Sequence, residues 1–477
     1  MNVILFLPDQ WRAEAVGCLG NKVVKTPHTD ALAAEGVAFR NCFTQNPVCT
    51  PTRCTLLTGQ FCHTGGHRTM HHFVRRHEPN LMRYLRDAGY FLWWGGKNDA
   101  IPLEDTELCC DVRYHGDGKK GPTKPAPKPG DRHFYTFYRG CVSEEPMHLG
   151  DDDVVDHAVE FLARKHQTPF CMWINQGLPH PPYAAEREWC EMYPLDVIRP
   201  LKPRVIDGKP GILDAIRRKA GLDKLTAEEF RAILATYYAM CSRVDRNFGR
   251  VIDAVKENGL WENTAILLAA DHGDFGGDYE MVEKTQNTFE DVLTNVPLVI
   301  RVPGGKPHSG ACDALVQSMD LFATLMELTG AEARHTHFSK SLMPIVRGET
   351  DEHRQFVCCE GGARIEEVHT HENPKSHTPE HVYHPRITIQ NQQPELHGKA
   401  VMLRTHDWKY VRRLYDTDEL YELTSDPDEL RNVVNDPARA EIVREMRDRM
   451  LTWFLDTGDA VPFRWDKRSE NENILEI

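Results

Sequence analysis

The sequence predicts an α/β fold in which helices cover both faces of a mostly parallel sheet. Short, unbroken apolar runs alternate along the chain with longer segments whose apolar residues recur at helical spacing. Strands buried on both faces of a parallel sheet have such runs, and their connecting helices pack on the sheet. Closely spaced strand patterns near the C-terminus predict a smaller α+β subdomain with an antiparallel sheet. A chain of 477 residues is long enough for both parts.

Five apolar runs are the predicted strands of the large sheet. They are residues 2–7, 91–94, 170–174, 265–269 and 297–300. Segments with a helical period lie between them, and three of these segments are followed by a glycine, which commonly ends a helix. The predicted helices are residues 31–35, which Thr29 and Asp30 would cap, and residues 81–88, 153–165 and 227–258.

The C-terminal part of the chain has a different organisation. Three short strands, residues 401–405, 408–413 and 420–423, precede a predicted terminal helix over residues 432–455. We therefore divide the chain into a larger α/β domain, 1–350, and an α+β subdomain, 351–477. Two segments lack periodicity: 116–130 is predicted to be an insertion, and 360–396 a long loop region that reaches over the functional site.

The composition excludes some classes of partner. The net charge is −14, and an acidic chain repels nucleic acids and anionic membrane surfaces. Residues 1–9 contain no Lys or Arg and only a short apolar run, unlike a secretory signal, and no later run is long enough to span a bilayer. We therefore expect a cytoplasmic protein without membrane or nucleic-acid partners, whose 14 cysteines are reduced. The oligomeric state is left open.

Polar residues follow two of the predicted strands. Asp9 and Gln10 come after the first strand, and Asp271 and His272 come after the strand at 265–269. Because the carboxyl ends of parallel strands meet at one edge of a sheet, these side chains should lie close together. The oxygen ligands suit Ca²⁺ or Mg²⁺, and the imidazole leaves Mn²⁺ open. An Asp after a strand is also a common turn or capping residue, so each pair alone is a weak signal.

The segment 49–53, Cys-Thr-Pro-Thr-Arg, resembles the Cys-x-Pro-x-Arg signature of the type I, formylglycine-dependent sulfatases of the alkaline phosphatase-like superfamily. Further segments are similar to the conserved blocks of that family and occur in the same order along most of the chain. They are residues 26–39, 49–59, 89–97, 179–183, 245–273, 296–304 and 420–432. The resemblance implies an alkaline phosphatase-like fold.

The resemblance also implies an activity, that of a sulfuric ester hydrolase. In the family, a maturation enzyme oxidises the signature cysteine, here Cys49, to formylglycine, an aldehyde whose hydrate is the nucleophile. A divalent metal, most often Ca²⁺, with Mn²⁺ or Mg²⁺ as alternatives, completes the site. The implied substrate is a sulfate ester, on a small carbohydrate such as a glycosaminoglycan fragment or on an aryl group.

The roles of the family residues carry over to this chain as implications. The implied catalytic residues are Cys49, Arg53, Lys97, His180 and Lys284. The implied metal ligands are Asp9, Gln10, Cys49, Asp271 and His272. Arg53 would stabilise the hydrated aldehyde, and Lys97 and Lys284 would neutralise the sulfate oxygens. His180 would hydrogen-bond or protonate the leaving-group oxygen.

A dense run of cationic and imidazole side chains at 67–77 follows the signature. We interpret it as part of a substrate subsite for a polyanionic sugar, although a solvated loop would have the same composition. His71, within this run, and Asn98, beside the implied catalytic lysine, are the predicted substrate contacts.

The chain departs from the family pattern in ways that keep two alternatives open. Gln10 stands where the family has an Asp, and His272 where many members have Asn; both variants resemble the phosphonate monoester hydrolases. Thr52 replaces the usual Ser or Ala. A phosphonate monoester hydrolase or phosphodiesterase with the same formylglycine and metal is therefore the first alternative, although Lys97 and Lys284 favour sulfate. The second is a non-catalytic binding protein that keeps Cys49 as a thiol.

Overall fold

The structure is a computed structural model that describes residues 1–118, 124–372 and 378–463. The strands are β1 (Asn2–Asp9), β2 (Val37–Phe43), β3 (Phe91–Gly95), β4 (Val112–Tyr114), β5 (Tyr138–Ser143), β6 (Phe170–Pro179), β7 (Tyr183–Glu186), β8 (Thr264–Ala269), β9 (Leu298–Arg301), β10 (Ala311–Gln317), β11 (Val357–Gly361), β12 (Ala400–Arg404), β13 (Trp408–Arg413) and β14 (Glu419–Glu422). The helices are α1 (Pro27–Ala34), α2 (Cys49–Thr58), α3 (Cys62–Gly65), α4 (Leu81–Asp87), α5 (Gly150–Leu162), α6 (Arg187–Cys190), α7 (Gly211–Lys219), α8 (Ala227–Glu257), α9 (Asp291–Thr294), α10 (Asp320–Thr329), α11 (Met343–Val346), α12 (His384–Gln392) and α13 (Ala440–Thr457).

Eight strands form the central sheet, in the order β10-β2-β9-β8-β1-β6-β3-β4. The sheet is parallel except at β9, which runs antiparallel to both β2 and β8. Every residue of β1 and β8 is buried, as expected for strands covered on both faces. Helices α1, α5 and α8 pack together in one layer, and α2, α4 and α10 pack together in another. The predicted α/β class with a mostly parallel sheet is confirmed.

The strands found from the sequence are those with unbroken apolar runs. The five predicted runs correspond to β1, β3, β6, β8 and β9. Strand β2 was missed because Arg40 and Asn41 interrupt its apolar pattern. The predicted cap of α1 is wrong, since the helix already begins at Pro27, a residue suited to the first turn. Thr29 lies inside the helix, and its side chain bonds Asp245 instead.

The smaller sheet is antiparallel, in the order β11-β12-β13-β14. Its last three strands were predicted, and the α+β character of this part is confirmed. Strand β11 and helix α12 were missed because both overlap the segment 360–396, which was predicted to be a loop. The terminal helix begins at Ala440 rather than residue 432. Asn432 lies beside β14 instead, where its Oδ1 accepts a hydrogen bond from the main-chain N–H of Leu420. The boundary at residue 350 stays a prediction.

Two further findings concern the remaining segments. Of the predicted insertion 116–130, residues 119–123 lie outside the described part, and the other residues form no helix or strand. Among the described residues, no helix combines the length and the apolar character that crossing a bilayer requires.

Candidate active site

The candidate site lies at the carboxyl edge of the central sheet, around the end of β1. Asp9 is the last residue of β1, and Asp271 follows the neighbouring strand β8 by two residues. His180 follows β6 on the other side, where Pro179 lies opposite Asp9. Because β1 lies between β6 and β8, the topology brings these side chains together, and both carboxylates are fully buried.

Cys49 is the first residue of α2 and the centre of the cluster. Its Sγ lies 3.1 Å from His272 Nε2, 3.5 Å from Lys97 Nζ and 3.6 Å from Asp9 Oδ1. Burial, together with the charge of Asp9, raises the pKa of the Cys49 thiol to about 12. An unmodified Cys49 is therefore protonated at neutral pH and a poor nucleophile, although its position at a helix N-terminus suits a negatively charged group.

Arg53 lies one helical turn after Cys49, on the same face of α2. Its guanidinium donates to three groups: Nε to Asp271 Oδ2 at 2.8 Å, Nη1 to Asn175 Oδ1 at 2.8 Å, and Nη2 to Asp9 Oδ2 at 3.3 Å. Only 2% of its side chain is exposed. Arg53 thus fixes the relative positions of both carboxylates and balances part of their charge.

Lys97 reaches the cluster from the turn after β3. Its Nζ donates to Asp9 Oδ2 at 2.6 Å and lies 3.0 Å from Asp99 Oδ2. The preceding residue, Gly96, has a φ of +80°, and a Cβ there would lie 2.0 Å from the carbonyl oxygen of Asn175. Only glycine allows the main chain to pass so close to β6, and this close passage directs Lys97 into the site.

Lys284 contacts Gln10, the residue that follows Asp9 in the chain. Its Nζ donates to Gln10 Oε1 and to Glu283 Oε1, each at 2.6 Å. Arg386 of α12 in turn donates to Glu283 Oε2 at 2.8 Å. Burial opposes the ionisation of Glu283, but the charges of Lys284 and Arg386 outweigh it and lower the pKa of Glu283 to about 2. Lys284 is therefore held in place by an ionised partner.

His180 is half-buried at the start of the loop after β6. Its Nδ1 lies 2.7 Å from the carbonyl oxygen of Pro181. Since a carbonyl only accepts, Nδ1 carries the proton and Nε2 has a free lone pair. Burial, with the nearby charge of Lys284, lowers the pKa of His180 to about 3. The imidazole is therefore neutral in the resting site.

Four of the predicted metal ligands form one group. The ligand atoms of Asp9, Cys49, Asp271 and His272 all lie within 4.8 Å of one another, and all four residues are buried. His272 Nδ1 lies 3.0 Å from the carbonyl oxygen of Gly273, which leaves the Nε2 lone pair free. Nε2 is 3.8 Å from an oxygen of each carboxylate. This set of nitrogen and oxygen donors fits a divalent cation.

Gln10 lies beside this group. Its main-chain N–H donates to Asp271 Oδ1 at 3.0 Å, but its side-chain oxygen accepts from Lys284, and its amide nitrogen donates to Asp274 Oδ2 at 2.5 Å. The side chain therefore connects Lys284 to the centre. The role of Gln10 as a metal ligand stays a prediction.

The two predicted substrate contacts occupy different positions. The Asn98 side chain bonds the main chain of Ala100 and Ile101 within its own turn, which shapes the loop that holds Lys97. His71 is exposed, and only its main chain is held, by Thr69. Neither side chain reaches the cluster, so the substrate-binding role of both residues stays a prediction.

The cationic run at 67–77 is paired with acids. Arg68 contacts Glu367, Arg75 contacts Glu78, and Arg76 contacts Asp105, at 2.6 to 2.9 Å. His67 also contacts Glu78, at 3.0 Å. These pairs leave less free positive charge for a polyanionic sugar than the composition indicated.

Sequence reasoning missed the residues that orient the predicted ones. They are Asn175, Asp274, Glu283, Tyr383 and Arg386. Asn175 directly follows the predicted apolar run 170–174, and Asp274 lies five residues after β8, so a search for polar residues shortly after each apolar run would have found them. Glu283 adjoins Lys284 in the chain. No comparable signal marked Tyr383 or Arg386, since their segment has no clear period.

Comparisons with known proteins agree with the fold and with the predicted family. A sulfatase family model matches residues 1–331. The uncharacterized sulfatase YidJ of Escherichia coli (strain K12) is 26% identical to the chain, with 97% of this chain and 88% of YidJ covered. Human iduronate 2-sulfatase is 27% identical, with 73% of this chain and 68% of that protein covered.

The fold is also similar to a solved structure, that of a phosphonate monoester hydrolase from Agrobacterium radiobacter. The TM-score is 0.77 at 21% identity, over 100% of this chain and 99% of that one. At this identity the likeness shows the fold alone. Because the family model spans residues 1–331, well over half of the chain, the protein belongs to the sulfatase family, whose members are sulfuric ester hydrolases.

Proposed function

We propose that the protein hydrolyses a sulfate ester of a small saccharide, with residue 49 as the nucleophile after its conversion to formylglycine. The observation that supports this most is the contact set of Cys49, whose Sγ lies within 3.6 Å of His272, Lys97 and Asp9 at once. Such a set provides a nucleophile, a cation site and a group that binds anions at a single point. The maturation enzyme and a cytoplasmic location stay predictions.

Asp9, Asp271 and His272 would hold the divalent metal together with residue 49. When bound, the metal and the formylglycine supply Lewis-acid activation and a hydroxyl nucleophile at neutral pH. We propose Ca²⁺, the metal implied by the resemblance; the nitrogen of His272 suits Mn²⁺ at least as well, and Mg²⁺ is the third choice. Elemental analysis of the purified protein would identify the metal.

The lysines bind the sulfate group. Lys97 contacts residue 49, and Lys284 bonds Gln10 beside it. Each lysine is held by a carboxylate, Asp9 for Lys97 and Glu283 for Lys284. Their ammonium groups therefore need little reorganisation when negative charge develops on the sulfate oxygens. Arg53 keeps the two buried carboxylates in position while this happens.

His180 acts on the leaving-group oxygen. Its Nδ1–H is fixed on the carbonyl of Pro181, so Nε2 is the atom available to the substrate. A neutral Nε2 has no proton to donate, so His180 must first take one from solvent. A bound anionic substrate favours this protonation because its negative charge lies close to the imidazole. The proton then passes from Nε2 to the oxygen that leaves.

The cavity beside Lys284 favours an uncharged leaving-group face. Tyr135, Phe137 and Tyr383 line this cavity together with the lysine. Charges of opposite sign alternate along the edge of the cavity. Lys284 contacts Glu283, and Arg386 contacts both Glu283 and Glu372. The pairs cancel, so this wall presents aromatic rings rather than net charge. An aryl group or the face of an uncharged sugar ring suits such a wall.

Tyr383→Ala is expected to raise KM for an aryl sulfate by about 3- to 10-fold with little change in kcat, because ring stacking contributes about 0.5–1.5 kcal/mol. The Tyr383 ring packs against Phe137 at 5.1 Å and lies under the Arg386 guanidinium at 4.7 Å. Steady-state kinetics provide the measurement. Tyr383→Phe is the matched control and should keep the wild-type KM; an unchanged KM in Tyr383→Ala would remove Tyr383 from the leaving-group wall.

A phosphonate monoester hydrolase or phosphodiesterase is the second candidate. It is favoured by Gln10, which places no negative charge beside Lys284, and by the fold likeness to the Agrobacterium radiobacter enzyme. The two charged lysines around residue 49 support sulfate as the preferred group.

The two candidates are separated by competing aryl substrates. We expect 4-nitrophenyl sulfate to be cleaved with a kcat/KM at least about tenfold above that of the 4-nitrophenyl ester of phenylphosphonate. Protein co-expressed with a maturation enzyme and loaded with Ca²⁺ or Mn²⁺ provides the test. A reversed order of the two substrates would favour the phosphonate hydrolase instead.

A further inference from the structure

A second group of metal-binding side chains lies at the opposite edge of the central sheet. It consists of His308, in the loop between β9 and β10, Cys312, in β10, and Asp351, in the segment before β11. Strand β10 runs parallel to β2, and its first residues therefore lie at the amino edge, away from the active site. The main chain of His308 is held there by a bond of 2.9 Å to Gly36, just before β2.

The distance between His308 and Asp351 matches tetrahedral zinc coordination. The ligand atoms lie within 4.8 Å of one another, and His308 Nε2 is 3.3 Å from Asp351 Oδ1. Zinc–ligand bonds of about 2.0–2.1 Å at tetrahedral angles place a nitrogen and an oxygen about 3.3 Å apart. A direct charge-assisted hydrogen bond would bring the two atoms to about 2.7–2.9 Å.

The orientation of the side chains also suits a metal. His308 Nδ1 lies 3.2 Å from the carbonyl oxygen of Gly310, so Nδ1 carries the proton and the Nε2 lone pair faces Asp351. The Cys312 side chain is buried in β10, next to these two residues, so its sulfur is available as the third ligand atom of the group.

We propose that His308, Cys312 and Asp351 bind Zn²⁺, with water as the fourth ligand. A thiolate, an imidazole and a carboxylate together select zinc over calcium or magnesium, which prefer oxygen. An open cleft, also lined by His353 and His406, gives the ion a path from solvent. His353 is not the fourth ligand, because its Nε2 bonds Asp320 at 3.0 Å.

A zinc ion at this position joins three segments of the chain. It connects the β9–β10 loop and the edge strand β10 to the segment that leads into β11 and the smaller sheet. Because the ion binds only the folded arrangement, it stabilises the protein by mass action. This stabilising effect does not depend on the proposed hydrolysis.

Co²⁺ is the probe that tests the site, since a thiolate ligand gives it a charge-transfer absorption band and tetrahedral geometry gives intense visible bands. The active site also contains a cysteine and a histidine, so the titration is done on the full-length Cys49→Ala variant. We expect the thiolate band there at one equivalent, and its loss in the Cys49→Ala/Cys312→Ser double variant. Competition with Zn²⁺ should displace the Co²⁺.

Asp351→Ala is a second variant, and it should fold normally because 79% of the Asp351 side chain is exposed. It is expected to weaken Zn²⁺ binding at least about tenfold. Asp313→Ala is the matched control: a neighbouring carboxylate, 72% exposed, that lies outside the group and should keep full affinity. The proposal is overturned if Cys49→Ala shows no thiolate band, if the band persists without Cys312, or if Asp351→Ala binds as tightly as Asp313→Ala.

Discussion

Cys49→Ala is expected to lower kcat/KM for an aryl sulfate by at least about 10⁴-fold, because it removes the group that becomes the nucleophile. The side chain is 1% exposed and sits where α2 begins, with Lys97 and His272 around its sulfur. Alanine leaves the helix and the neighbouring charges in place. The loss should therefore appear in kcat, while the melting temperature changes little.

Cys54→Ala is the matched control for this variant. Cys54 lies in the same helix and is fully buried in the hydrophobic core, and its sulfur lies 3.9 and 4.0 Å from the main-chain carbonyls of His72 and Ala100. It should cost some stability and keep kcat. An equal loss of activity in both variants would mean that packing of α2, rather than the chemistry of residue 49, had been disturbed.

Mass spectrometry of the tryptic peptide 41–53 gives the readout that does not depend on activity. We expect the aldehyde of formylglycine, or its hydrate, at position 49 in protein made with a maturation enzyme. Full activity with an unmodified Cys49 would contradict the proposed nucleophile. An unmodified and inactive protein would instead mean that Thr52 prevents recognition, or that the chain keeps Cys49 as a thiol for binding.

Part of the site was predictable because topology alone places it. Asp9 and Asp271 end two buried strands, and such strands are visible in the sequence as unbroken apolar runs. The resemblance to family motifs identified Cys49, Lys97 and Lys284. No local pattern of apolar and polar residues would have marked them as site residues. The fold class followed from the same runs and from the helical segments between them.

The rest depends on contacts that no local pattern specifies. The bond between Arg53 and Asn175 requires the geometry of α2 against β6 to within a fraction of an ångström. Tyr383 and Arg386 come from a segment rich in His and Pro, where α12 is stabilised by tertiary contacts such as the pair with Glu283 rather than by an amphipathic repeat. Strand β9 runs antiparallel to its neighbour β8. The direction of a strand is not visible in its composition, because an apolar run suits either direction.

Arg53→Met is expected to lower the free energy of unfolding by about 3–5 kcal/mol in metal-free protein. The change leaves Asp9 and Asp271, both fully buried, without the guanidinium that bonds each of them, and it removes one of the two donors to Asn175 Oδ1. Lys97 still contacts Asp9, so Asp271 loses more of its compensation. Chemical denaturation in the presence of a chelator measures the loss, and Arg53→Lys should restore only part of it, since one ammonium cannot replace three contacts.

The response to added metal distinguishes this loss of charge compensation from the general cost of removing a buried arginine. A divalent cation held by Asp9 and Asp271 compensates the same two carboxylates, so Ca²⁺ or Mn²⁺ should raise the melting temperature of Arg53→Met more than that of the wild type. Arg243→Met is the matched control, because Arg243 is equally buried at 1% exposure and bonds the carboxylates of Asp152 and Glu186. Arg243→Met should be less stable than the wild type, but the metal should raise its melting temperature no more than it raises that of the wild type. An equal response in both variants would show that Asp9 and Asp271 do not bind the metal, and the proposed centre would have to be abandoned.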